Sequence, residues 1–145
     1  MASQGFTHSS YHGIAIARIW WIGLLAIVAA VIVNAVIDVV ALSIFHVSAA
    51  FSPLQWLGVA LSTAIGVAGA VGVFALVTRF AQRPIRAFWL IATIALLITF
   101  VPDIAILLNP SSIVGTTPLA VGALMTMHLT AAAITVGLLT TLTHE

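Results

Sequence analysis

Asp38 and Asp103 each lie inside a long apolar run of this sequence, Asn34 sits four residues before the first of them, and His128 occupies another apolar run. An ionised side chain at the centre of a bilayer costs roughly 2.5–3.5 kcal/mol on insertion scales, so a carboxyl kept there needs a partner or a task. The chemistry open to such a set is narrow. It comprises hydrogen bonds that fix helices to one another, binding of a proton, a cation or a small polar ligand, and ligation of a cofactor by one imidazole.

The elements that must position these residues follow from composition. Of 145 residues 63% are hydrophobic and 5% charged, too few charges to cover a water-facing surface, so the chain is an integral membrane protein. The sequence contains no Lys, and its Arg residues do not form the basic stripe that nucleic-acid binding requires. A Cys count of 0 excludes disulfides, thiol nucleophiles and thiolate metal sites. There is no HExxH, no phosphate-binding glycine loop and no supported Ser-His-Asp order, so a non-enzymatic role is expected.

Four apolar runs read as membrane-spanning helices, over about 19–45, 53–77, 87–108 and 119–142, each of a length that crosses a hydrocarbon core of about 30 Å. Residues 1–18 read as a cytoplasmic tail and 143–145 as a cytoplasmic C-terminus. A signal peptide ending near Val47-Ser48-Ala49 fails on length, because an apolar core of about 7–15 residues is usual there. Arg79, Arg83 and Arg86 cluster in the second connection and Arg18 precedes the first span, so the positive-inside rule puts that connection and both termini in the cytoplasm of a bacterial inner membrane. Short connections make sequential helices antiparallel. The expected fold is all-α, a four-transmembrane-helix bundle running up-down-up-down.

Within that frame a rise of about 1.5 Å per residue puts Asn34 and Asp38 about 21 and 27 Å from the cytoplasmic edge, and Asp103 about 24 Å from it. His128 falls about 14 Å below the outer edge, so the polar residues converge on the outer half of the bundle. Asp38 comes close enough to the headgroups to meet water. Ala26, Ala30, Asn34 and Asp38 share a four-residue step, which points that face inward. Thr126, Thr130, Thr135, Ser62 and Thr63 offer further partners, although a helical Thr more often bonds its own backbone. Gly58, Ser62, Gly66 and Ala70 form a small-xxx-small stripe on the second helix, expected to pack inside the bundle or against a second copy.

Metal and cofactor readings are thin. His8 and His12 share a spacing that could hold a metal, but on a polar tail, and no metal site is expected. No cofactor is expected either; His128 alone could ligate a haem or chlorin, whereas His46 falls in an outer loop and cannot supply a second axial ligand.

Asn34 in the first helix, the Arg83-Pro84 connection, Pro102-Asp103 ending the third helix, and Met127-His128-Leu129 before Ala131-Ala132-Ala133 together resemble a bacterial family of small four-helix membrane proteins of unknown function. The resemblance spans about Trp20 to Leu142. It implies the four-span architecture and an inner-membrane location, and it singles out Asn34, Pro102 and His128, but it carries no catalytic role. The expected function is that of a small structural or accessory component, associating through helix faces with itself or a larger membrane complex in the lipid bilayer. The alternative is an outward-facing binding or transport module built on Asn34, Asp38, Asp103 and His128.

Overall fold

A computed structural model describes residues 16–143, which form α1 (Ile16–Ser43), α2 (Trp56–Phe80), α3 (Pro84–Leu108) and α4 (Pro118–Leu142), with 3-10 turns at Ser52–Leu54 and Pro110–Ser112. The tail residues His8 and His12, and His144 and Glu145, lie outside the described residues. All four helices are long and apolar enough to cross a membrane, and among the described residues there is no strand. The chain is an all-α, multi-pass membrane protein.

The helix ends differ from the sequence expectation where local chemistry intervenes. The first helix stops at Ser43 rather than Phe45, because His46 turns left-handed (φ 51°) and the Val47 N–H reaches back to the Ala41 carbonyl at 3.0 Å. Pro53 belongs to a separate 3-10 turn; Gln55 is extended (ψ 125°), so α2 starts at Trp56. It also runs past Val77 to Phe80, which carries Arg79 into its last turn. The third helix begins at Pro84, whose fixed φ and missing N–H suit a first helical position. Pro102 does not end it. The helix continues to Leu108, as membrane helices tolerate an internal proline when surrounding groups take up the freed carbonyl. Thr117 caps α4 by accepting from the Ala120 N–H at 3.1 Å, again with proline in the first turn.

Pairings across the bundle fix the helix directions. Gly23, early in α1, lies against Val71, late in α2, while Asn34 further along α1 bonds Thr63 nearer the start of α2. These two therefore run antiparallel. The rings of Phe74 and Phe88 meet edge to face at 4.8 Å between centroids, joining the end of α2 to the start of α3. Late α4 residues Val136 and Leu139 share a core cluster with Ile19 and Ile22 of α1, and Ala120 of early α4 shares another with Ala41.

Two apolar clusters thus fill the interior, one toward the arginine-bearing end (Ile19, Ala26, Val71, Phe74, Phe88, Leu139) and one toward the opposite end (Ala41, Phe51, Leu54, Val59, Ala120). Between them lies a polar layer containing Asn34 and Thr63. Its position follows from the α1 face Ala26, Ala30, Asn34, Asp38, every member of which is buried.

Within the single chain the glycines of the small-residue stripe on α2 make no close helix contact, although Ala70 packs against the core. A Cβ added at Gly58, Gly66, Gly69 or Gly72 would meet no neighbouring atom within 4 Å. The face that α2 buries is Val59, Thr63, Val67 and Val71, one residue further along the chain and so about 100° around the helix from Gly58, Ser62, Gly66 and Ala70. Close approach occurs instead at Gly23, where a Cβ would lie 2.7 Å from Val71 Cγ1. The third helix is the most loosely held. Among its residues only Phe88 and Asp103 are buried.

Candidate functional site: a polar layer beside an interhelical cleft

Asn34 is the centre of the polar layer. Its Nδ2 donates to Thr63 Oγ1 at 2.9 Å and its Oδ1 lies 3.1 Å from Thr130 Oγ1, so one buried amide joins α1, α2 and α4. The Thr130 hydroxyl also lies 2.9 Å from the Thr126 carbonyl and 3.1 Å from that of Met127. It has one proton to share among three acceptors. Ser62, Thr99, Thr126 and Thr135 each bond a carbonyl of their own helix.

Asp103 and His128 form a second unit, joining α3 to α4. His128 Nε2 stands 3.4 Å from Asp103 Oδ2, an ion-pair distance, yet that oxygen is buried and makes no aligned hydrogen bond. Asp103 is 2% exposed, while the His128 side chain is 35% exposed, so the imidazole separates the carboxyl from an open space. Pro102 precedes this aspartate, and the bond the helix loses there lies one residue from the pair.

Asp38 belongs to neither unit. It is 4% exposed, so the bundle shields it from the water that its place near the outer end of α1 would otherwise let it meet. Its Oδ1 has no hydrogen-bond partner among the described residues. The four residues expected to converge are thus divided into an Asn34 amide bridge, an Asp103–His128 pair and a solitary buried carboxyl. Among the described residues no group of three or more His, Cys, Asp or Glu side chains is placed to hold a metal ion.

The open space beside His128 is a cleft of about 200 Å³ between α2, α3 and α4. Its floor is the α2 stripe, with Ser62, Gly66 and Ala70 on the lining, and α3 contributes Ala92, Ala95 and Thr99. From α4 come His128, Ala131 and Ala132. The cleft exists because these facing residues are small and α3 leans mainly on α4. Sequence reasoning missed it. The run Ala131-Ala132-Ala133 and the glycine stripe were the available signals, but small residues on facing helices can signify close contact or vacant volume equally well.

Chemically the cleft is polarised along its length. Asn34, Thr63 and His128 lie in the half nearer Pro53, whereas Ala70, Phe88, Ala92 and Val136 line the half nearer the arginine end. Such a space suits a mainly apolar molecule with one polar end.

No curated protein and no solved structure matches this chain. A family model does, over residues 14–144, which takes in all four helices together with the amide bridge, the Asp103–His128 pair and the cleft. The protein belongs to that family, a family of unknown function designated DUF6069.

Proposed function

We propose that the protein is a non-enzymatic, membrane-embedded binding module whose cleft between α2, α3 and α4 takes a small, mainly apolar molecule. One observation carries this reading. The cleft places the partly exposed His128, backed by buried Asp103, on the wall of an otherwise largely apolar space. A bundle needing only cohesion would gain more from filling that volume, since a void forfeits dispersion contacts along its walls. The four arginines, Arg18 near the start of α1 and the others at the α2–α3 turn, support a bacterial inner-membrane orientation with both termini cytoplasmic. Haem or chlorin ligation by His128 has less support, because Nε2 is turned to Asp103.

Native mass spectrometry of protein released from bilayer nanodiscs tests the proposal. The wild-type chain is expected to carry a non-covalent adduct that Ala95→Phe, which fills the cleft, loses. Bare protein from both, or identical adducts on both, contradicts it.

A second reading is association through helix faces with itself or a larger membrane complex. It is favoured by α3, which leaves Leu90, Leu97, Ile98 and Val101 more than half exposed, a long apolar face that either lipid or a partner helix would cover.

A further inference from the structure

We infer that the cleft selects a membrane-soluble alcohol, a long apolar chain or ring system with a single hydroxyl, and that His128 Nδ1 receives the hydroxyl. This rests on the binding role proposed above and names the ligand class of that same site.

A count of polar groups on the lining supports it. Ser62, Thr99 and Thr135 spend their hydroxyl protons on carbonyls of their own helices. Asn34 is engaged on both sides by Thr63 and Thr130. That leaves the hydroxyl proton of Thr63, which is 8% exposed, and the imidazole, whose side chain is 35% exposed and is the more accessible of the two. Its Nε2 faces Asp103 Oδ2, and among the described residues no hydrogen bond engages Nδ1. The cleft therefore offers a ligand one readily accessible polar attachment, and a second polar group placed away from it would be buried without a partner, which is costly.

The kind of group follows from the protonation states open to the Asp103–His128 pair. If Asp103 is a carboxylate and holds Nε2–H, Nδ1 is a bare acceptor and calls for a donor. If the carboxyl carries the proton toward Nε2, or the imidazole is doubly protonated, Nδ1–H donates and calls for an acceptor. A hydroxyl answers both states, because it donates and accepts; a carbonyl or an ether answers only the second. The polarity of the space gives the orientation. With its hydroxyl at His128 the ligand's apolar part would lie along Ala70, Ala92 and Val136 toward Phe88, where the lining is apolar but for Thr135, whose hydroxyl bonds the Ala131 carbonyl.

The test is photolabelling in phosphatidylcholine nanodiscs with 1-hexadecanol carrying a mid-chain diazirine, compared at equal bilayer mole fraction with its methyl ether. In the wild-type protein the alcohol is expected to label Ala92 to Thr99 of α3 and the facing residues of α4. Labelling by the ether should be weaker by about fivefold, the size of one net hydrogen bond. Excess unlabelled hexadecanol or a cyclic alcohol should compete, and whichever competes better identifies a chain or a ring as the natural shape. His128→Ala should lower alcohol labelling to the level of the ether, and His128→Gln, which keeps a polar group at the site, should restore part of it. Equal cleft labelling by alcohol and ether in the wild type overturns the hydroxyl assignment while leaving an apolar binding cleft standing. Labels spread evenly over the outer helix faces, with no enrichment in the cleft, overturn both.

Discussion

At the scale of the residue, Asn34 and the Asp103–His128 pair differ in what they hold. The Asn34 amide ties three helices with two bonds whose partners lie in the bundle, and interhelical bonds in membranes contribute about 0.6 kcal/mol each on average, up to about 1.7. Asn34→Ala should therefore lower stability in detergent by about 1–2 kcal/mol, measured by thermal or denaturant unfolding. Thr130→Val should cost less, because Asn34 keeps its bond to Thr63. Equal losses from the two would mean that the Thr130 contact carries the bridge. The inward position of Asn34 was legible from its four-residue step with Ala26, Ala30 and Asp38. Its partners were not, since nothing in a threonine's spacing tells whether its hydroxyl turns to its own helix or to a neighbour. Thr130 does both. The burial of Asp38 was misjudged for a related reason: a rise per residue gives distance along a helix, while exposure depends on what the loop beyond Ser43 covers.

At the scale of the element, the helices and their order could be read from hydropathy and from proline, arginine and tryptophan at their ends, but the contacts between them could not. The α2 stripe carries the signature of close packing and faces open space, whereas Gly23, with Ile19 and Ile27 four residues to either side, carries no such signature and makes the tightest approach. Gly23→Ala should destabilise the bundle by about 1–3 kcal/mol, as overpacking does. Combining it with Val71→Ala should cost less than the sum of the two single changes, because the space vacated at Val71 admits the new methyl. Gly66→Ala should stay within about 0.5 kcal/mol of wild type. A large loss at Gly66 would mean that its face is covered. Cross-linking in bilayers tests a cover by a second copy: a dimer lost in Gly66→Leu would favour self-association, and a monomer before and after would remove α2 as a homomeric interface. The cleft itself could not be read from sequence, because α3 is apolar all round and its pattern does not say which side meets the bundle.

At the scale of the whole molecule, four spans and an arginine-bearing end make one statement about direction. The absence of cysteine allows single reporters to test it. Gln82→Cys, between α2 and α3, should react with a membrane-impermeant maleimide only after permeabilisation of cells, and Ser111→Cys, between α3 and α4, without it. The reverse pattern would invert the molecule and place the polar end of the cleft toward the cytoplasm.

A crystal structure grown from a lipid mesophase examines the cleft most directly. Non-protein density running between α2 and α3 and ending within hydrogen-bond distance of His128 is the predicted result. A bundle in which α3 has closed against the Ser62, Gly66 and Ala70 face, leaving no volume beside His128, would contradict it.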